Sequence, residues 1–231
     1  MPRLARTVFA DVPHHVTQRG NRKENVFFVN DDYRTYLEWL GQYSQEYGVE
    51  ILAYCLMTNH VHLIVIPRKA DSLEKTFKPL HMRYAQRINR RKGWKGHLWQ
   101  GRYFSSPLDE RYMWASIRYA ELNPVRARIV DRAEEYPWSS AAAHCGIRND
   151  DLLSNELKQS NVSIRVDDWS SWLVAGENYS ESALIKRNVT KGLPCGSEEF
   201  IRKLEKLAGK NLRFRPQGRP AGQQYAHAGK V

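Results

Sequence analysis

The sequence has few cysteines, and none of its apolar runs approaches the length of a membrane span. Both features limit the class of protein to which the chain can belong. Its mean hydropathy is −0.65, so we expect no membrane partner. The three cysteines, Cys55, Cys145 and Cys195, are far apart and form no CxxC pair. This argues against a disulfide scaffold or a zinc finger and fits a reducing cytoplasm. The N-terminus lacks the apolar segment of a signal peptide, which also favours a cytoplasmic protein.

Two catalytic motifs are also missing. There is no HExxH helix, which argues against a zinc protease. Gly96 and Gly101 have the spacing of a phosphate-binding loop, but Arg102 and Tyr103 follow where Lys and Ser or Thr are needed. We therefore expect no nucleotide cofactor.

Acidic residues are scarce, which indicates a polyanionic partner. Lys and Arg number 36 against 25 Asp and Glu, giving a net charge of +11. Between Lys75 and Leu108 there is no acidic residue at all. Four aromatic residues in this window offer rings for unpaired bases; the alternative is that they are core residues beside a solvated basic face. They are Trp94, Trp99, Tyr103 and Phe104.

Hydrophobic periodicity predicts a compact order of elements. We expect strands at 12–19, 50–57, 60–66 and 101–108, and helices at 33–47, 72–91 and 110–122, with Asp31, Asp32, Ser72 and Asp109 as helix caps. This order predicts an α+β fold with a ferredoxin-like antiparallel sheet, helices on one face and the other face free for a ligand. We divide the chain into a catalytic domain (1–135), a C-terminal helical extension (136–208, with helices at 168–173, 181–189 and 197–207) and a basic flexible tail (209–231).

The strand at 60–66 contains two histidines at alternate positions. His60 and His62 leave the same face of a strand, whereas Val61, Leu63 and Val65 point to the other face. Two neighbouring imidazoles on a stiff strand form a bidentate metal platform that still needs a third ligand. The alternative is two polar residues at a strand end that only form hydrogen bonds.

The helix at 110–122 contains the second candidate feature. Tyr119 and Asn123 are four residues apart, so a phenol and an amide oxygen face the same side of a helix. Pro124 disfavours helical geometry at Asn123, which places Asn123 at the helix end. From spacing alone, Tyr119 as a core aromatic and Asn123 as a helix cap remain the alternative.

Several segments together resemble one known family. Residues 57–65 (MTNHVHLIV) are similar to the histidine–hydrophobic–histidine (HUH) motif of single-tyrosine transposases, and residues 119–127 (YAELNPVRA) resemble their tyrosine motif. Residues 98–104 (LWQGRYF), 136–140 (YPWSS) and 218–220 (GRP) are similar to one subgroup, the REP-associated tyrosine transposases. Asn123 stands where more distant relatives use Gln, and either amide offers an oxygen.

The resemblance implies a metal-dependent endonuclease and transesterase acting on single-stranded DNA, in or near a hairpin. Tyr119 would form a 5′-phosphotyrosine intermediate, and His60, His62 and Asn123 would hold Mg²⁺ or Mn²⁺, although imidazoles also accept zinc. The expected setting is the bacterial cytoplasm, with nucleoid DNA as substrate.

Basic residues are the predicted DNA contacts. A tail segment, 215–220, resembles an arm that reads the minor groove, unless it is only a solubilising tail. The full predicted set is Arg19, Lys78, Arg83, Arg87, Arg90, Arg102, Arg215 and Arg219.

Two rival functions remain at this point. A DNA-binding regulator that does not cut DNA would have no need of Tyr119, His60 and His62. An RNA-binding protein is the other rival, since ferredoxin-like sheets also bind RNA, but residues 101–108 lack the full aromatic pattern of such proteins.

Overall fold

The computed structural model describes residues 7–155, 157, 168–175 and 178–214. Four strands and three long helices form its body. The strands are β1 (His14–Arg19), β2 (Val49–Met57), β3 (His60–Pro67) and β4 (Phe104–Pro107), and the helices are α1 (Asn30–Tyr47), α2 (Ser72–Lys92) and α3 (Glu110–Glu121). They are followed by α4 (Asn123–Arg126), α5 (Ala141–His144), α6 (Trp169–Val174), α7 (Tyr179–Lys191) and α8 (Glu198–Ala208).

The sheet has the strand order β2-β3-β1-β4, and every neighbouring pair is antiparallel. Strands β2 and β3 form a hairpin across Thr58 and Asn59, whereas α1 and α2 carry the chain across the sheet between non-neighbouring strands. This is the predicted ferredoxin-like arrangement, and the α+β fold class is confirmed.

The helices occupy both faces of the sheet, which differs from the prediction of helices on one face. Leu63 and Val65 pack with α1 and α2 in one apolar core. Ile64, on the opposite side of β3, packs with Trp114 and Ile117 of α3 in a second core. The face expected to be open is therefore covered by α3, because the chain after β4 turns back over it.

The starts of β1, β4 and α1 differ from the predictions. Strand β1 begins only at His14, whose Nδ1 donates to the carbonyl of Val12 at 2.7 Å. Strand β4 begins at Phe104, because Gln100 N already bonds to Arg19 O and the chain loops out before it pairs again. Helix α1 begins at Asn30 and α2 at Ser72, so Asp31, Asp32 and Ser72, which were predicted as caps, lie inside the first turns of these helices; Asp71 is the cap of α2.

The C-terminal segment is joined to both edges of the sheet. Leu56 N donates to Trp138 O at 2.9 Å beside β2, and Cys195 N donates to Pro107 O at 2.9 Å beside β4. The three predicted C-terminal helices are present as α6, α7 and α8. Of the predicted flexible tail, Leu212 is buried against Leu204, and residues 215–231 lie outside the described part. No helix within the described residues has the length and apolar character needed to cross a membrane.

Candidate active site

The predicted histidine pair lies on the side of β3 that faces α3. Strand alternation sends His60 and His62 to this side, and their ring centroids are 4.9 Å apart. His62 is buried and His60 is half-buried. The structure therefore brings the two imidazoles together on one face, as the spacing indicates.

Helix α3 brings Tyr119 against this pair. The Tyr119 ring lies edge-on to His62, with ring centroids 5.5 Å apart. Tyr119 is half-buried, so solvent or a ligand can reach part of the ring. It forms part of the second apolar core, which fixes the helix beneath it. The phenol and the imidazoles thus share one small region of the α3 face.

Asn123 completes the predicted set. Helix α3 ends at Glu121, close to the predicted end, but Asn123 is itself helical as the first residue of α4, so the expected effect of Pro124 on Asn123 is not seen. The Asn123 amide donates to Tyr119 O at 3.3 Å. A hydrogen bond between Asn123 and His60 favours the protonated imidazole. Asn123 is therefore in direct contact with a member of the histidine pair.

A third histidine, His15 of β1, belongs to the site and was missed by the sequence analysis. Its Nε2 lies 2.8 Å from Nδ1 of His62, and its ring centroid is 6.0 Å from that of Tyr119. His15 is fully buried, and its Nδ1 has no hydrogen-bond partner in the described chain. The sequence placed His15 on a predicted strand, but only the pairing of β1 with β3 places it beside His62.

Burial keeps these imidazoles neutral. It lowers the pKa of His15 to about 3, and it lowers that of His60 to about 4 with a further contribution from the charge of Arg19. Burial also holds the pKa of His62 well below its usual range, and the charge of Arg126 acts in the same direction. At neutral pH each ring therefore offers a lone pair, which is the form that binds metals.

Arg126 is a second residue that the sequence analysis did not single out. Its guanidinium lies over the Tyr119 ring, 4.2 Å from the centroid, and it donates a hydrogen bond to the Tyr119 carbonyl oxygen. Arg126 is exposed. A fixed positive charge thus stands over the Tyr119 ring, where it can attract a phosphate.

A buried carboxylate anchors the helix that carries Tyr119. Glu121 is fully buried and accepts hydrogen bonds from Ser140 Oγ at 2.5 Å and from Trp169 Nε1 at 2.7 Å, and it lies 2.6 Å from Nδ1 of His144. These partners all belong to the C-terminal segment. Residues 136–140 form one of the motifs noted in the sequence. The hydrogen bond from Ser140 to Glu121 shows one structural role of that motif.

The predicted DNA contacts fall into two groups. Arg19 is exposed beside His60, its partner across the β1–β3 ladder, and Arg102 is exposed just before β4. The other described members lie on α2, in the layer on the opposite face of the sheet from Tyr119. They are Lys78, Arg83, Arg87 and Arg90. Arg215 and Arg219 lie outside the described residues.

Three of the basic residues of α2 make contacts with neighbouring side chains of the protein. Lys78 pairs with Glu74 at 3.6 Å, and Arg87 pairs with an aspartate of α1. Arg83 stacks over the ring of Trp39, 4.0 Å from its centroid. These contacts partly occupy their charges within the protein. Because the ion pairs are exposed, breaking them costs little free energy.

The four aromatic residues of the basic window separate in the same way. Trp99 and Tyr103 are buried in the core between the sheet and α2, so their rings are closed to a ligand. Trp94 and Phe104 remain exposed, at 46% and 40%. The stacking prediction is thus wrong for the first two and remains a prediction for the other two.

Comparisons with known proteins concern the family and the fold of the chain. Residues 9–123 match the model of the family described as "Transposase IS200 like". A protein of Haemophilus influenzae named for the REP-associated tyrosine transposases is 24% identical over 110 residues, which cover 43% of this chain and 62% of the relative. A solved REP-associated tyrosine transposase bound to a REP hairpin is similar in fold, with a TM-score of 0.50 and 17% identity. That match covers 71% of this chain and 100% of the other.

Proposed function

Because the chain belongs through residues 9–123 to the IS200-like transposase family, we propose that it cuts and rejoins single-stranded DNA with Tyr119. The observation that carries this proposal is the position of the Tyr119 ring, 5.5 Å from that of His62 and on the same sheet face as His60. A nucleophile and two neutral imidazoles at one point suit phosphoryl transfer.

Tyr119 is the proposed nucleophile. Its phenol oxygen attacks the phosphorus of the scissile phosphodiester, and the bond from phosphorus to the 3′ oxygen breaks. The phenol loses its proton and the departing 3′ oxygen gains one, leaving a 5′-phosphotyrosine and a 3′-hydroxyl. The covalent phosphodiester keeps the energy of the broken bond, so rejoining needs no nucleotide cofactor. Arg126, over the Tyr119 ring, stabilises the phenolate and the anionic phosphate.

His60, His62 and Asn123 are the residues that would hold Mg²⁺ or Mn²⁺. Nδ1 of His62 is engaged by His15, and Nδ1 of His60 lies 2.6 Å from the side-chain oxygen of Asn59. Nε2 of each ring is therefore the nitrogen that would face a metal, and the Asn123 side chain, which bonds His60, would join the same donor set. When bound, the ion would polarise the scissile phosphate and offset its developing charge.

The donor set itself implies an incomplete cage. Among the described residues, no group of three or more His, Cys, Asp or Glu side chains is placed to hold a metal. Two imidazoles and one amide leave coordination positions that phosphate oxygens and water can fill. This suits Mg²⁺ or Mn²⁺, which commonly bind through substrate phosphates.

The proposed substrate is single-stranded DNA in or near a hairpin. The net charge of +11 and the acid-free window 76–107 support an anionic partner. Arg19 and Arg102 lie closest to the site, and the α2 set would hold a more distant part of the DNA. We also assign Arg215 and Arg219 to DNA contact. The match to a solved transposase bound to a REP hairpin supports the hairpin.

The test is a denaturing-gel assay for a covalent protein–DNA adduct. Labelled hairpin oligonucleotides with single-stranded flanks are incubated with the full chain, with Mg²⁺ or Mn²⁺ and with EDTA. We expect a metal-dependent adduct that Tyr119→Phe abolishes and that the control Tyr179→Phe retains, since Tyr179 is 87% exposed on α7. Hairpin binding without any adduct would support a regulator that does not cut DNA.

A further inference from the structure

Phe104 lies in the same cross-strand row as His62. Thr17 of β1 is the Cα partner of His62 on one side and of Phe104 on the other. Directly paired residues in an antiparallel sheet project to the same face. The Phe104 ring therefore leaves the sheet on the side of Tyr119, two strand spacings, or about 10 Å, from His62.

The Phe104 ring is exposed although its neighbours along the strand are not. Ser105, Ser106 and Pro107 are buried, whereas Phe104 is 40% exposed. The outer edge of β4 is covered where Ser106 Oγ donates to Leu193 O and Cys195 N donates to Pro107 O. This cover begins after Phe104, so the ring stands at the open end of the edge strand.

Two exposed basic residues lie at this open end of β4, where Gln100 N donates to Arg19 O. Arg102 is exposed two residues before Phe104, and Arg19 is exposed beside His60 on the same face. In the described residues, neither arginine has an ion pair with a carboxylate. An exposed aromatic face with positive charges at the same end of the sheet can hold single-stranded nucleic acid, with phosphates on the charges and a base on the ring.

We propose that Phe104 is the stacking platform for an unpaired base beside the scissile phosphate. The proposal rests on the proposed function and adds a base-binding subsite to it. A few nucleotides of single-stranded DNA span about 10 Å, so one DNA strand can place its phosphate at the site and a base on the ring. Stacking uses the ring face that every base has, so Phe104 orders the strand without selecting one base.

The experiment pairs Phe104 variants with a scan of abasic sites. Each nucleotide flanking the mapped cut is replaced in turn by an abasic residue, and the initial rate of adduct formation is measured at low substrate concentration. For the unaltered protein we expect one flanking position where loss of the base lowers the rate about tenfold or more. Phe104→Ala should lower the rate on intact DNA to a similar extent and should abolish the sensitivity at that position alone.

Two further variants distinguish the effect of the aromatic ring from the effect of apolar bulk alone. Phe104→Trp keeps an aromatic face and should retain both the rate and the position-specific sensitivity. Phe104→Leu keeps apolar bulk without the ring and should behave like Phe104→Ala. Full activity of Phe104→Ala, or an unchanged abasic profile in that variant, would overturn the proposal.

A binding measurement distinguishes this proposal from the proposed function. In the Tyr119→Phe background, 2-aminopurine is placed at each flanking position of the same oligonucleotide. Fluorescence quenching at one position, relieved by Phe104→Ala but not by Phe104→Trp, would support the subsite even if the unaltered protein formed no adduct. Absence of quenching at every position, with the DNA bound, would overturn the subsite while leaving cleavage by Tyr119 intact.

Discussion

On the side of α1 and α2 the sheet presents Leu63 and Val65 to a closed apolar core, whereas on the side of α3 it presents His15 and His62. Both histidines are as deeply buried as the apolar residues. His15 also leaves one ring nitrogen without a partner, which costs about 1–3 kcal/mol. That cost lies at the candidate site alone, since Ile64 on the same face packs in the second apolar core and adds to stability.

Substitutions at two neighbouring residues of β3 should distinguish the roles of the two sheet faces most clearly. His62→Ala should lower adduct formation at least about a hundredfold, because a metal ligand is lost, and should lower the unfolding free energy by about 1–3 kcal/mol, because the buried hydrogen bond to His15 is lost. Leu63→Ala should lower the unfolding free energy by about 2–5 kcal/mol through a cavity in the first core. Urea unfolding and the adduct assay check the pair.

The adduct yield of Leu63→Ala must be compared per folded molecule. Below the unfolding transition, it should equal that of the unaltered protein. A loss of stability in His62→Ala as large as that in Leu63→Ala would mean that the two faces do not divide their roles.

Glu121 tests how far the α3 face depends on the C-terminal segment. Glu121→Ala removes the acceptor for buried hydrogen bonds from Ser140 and Trp169, so we expect a loss of about 3 kcal/mol in unfolding free energy. Glu121→Gln retains an oxygen acceptor and should lose less. Equal stability of both variants and the unaltered protein, measured in urea, would show that this contact does not hold α3 in place.

His15 should have a smaller effect, acting through His62. His15→Ala removes the hydrogen bond to Nδ1 of His62, so we expect Mn²⁺ affinity to fall about 10–100-fold. His15→Gln places an amide near the same nitrogen and should restore part of that affinity. Calorimetric titration of Mn²⁺ without DNA provides the measurement. Unchanged Mn²⁺ affinity in His15→Ala would show that His15 does not support the metal site.

The smallest effect concerns pH. Burial lowers the pKa of His14 and His60 to about 4, below the value near 6.5 of an unfolded chain. The unfolded state therefore binds more protons as the pH falls from about 6.5 towards 4, and stability falls over that window. His14→Gln, outside the site, should reduce the slope of unfolding free energy against pH. An unchanged slope in that variant would contradict the buried, neutral state of His14.

The sequence predicted the parts that depend on local patterns. Strand alternation placed His60 and His62 on one face. The predicted end of the Tyr119 helix just before Asn123 is also correct, although Asn123 itself begins the short helix α4. The position of His15 and the covering of the second face by α3 depend on which strands pair and where the chain returns after β4. Those are properties of the whole fold, and no local pattern in β1 or α3 encodes them. The same holds for Glu121, whose partners are at least 19 residues away.

The most direct test of the account is the identity of the residue joined to DNA. An adduct formed with Mg²⁺ or Mn²⁺ is trimmed with nuclease, digested with protease and sequenced by mass spectrometry. The account predicts a nucleotide linked through its 5′ phosphate to Tyr119. A nucleotide linked to any other residue, or linked through a 3′ phosphate, would contradict it.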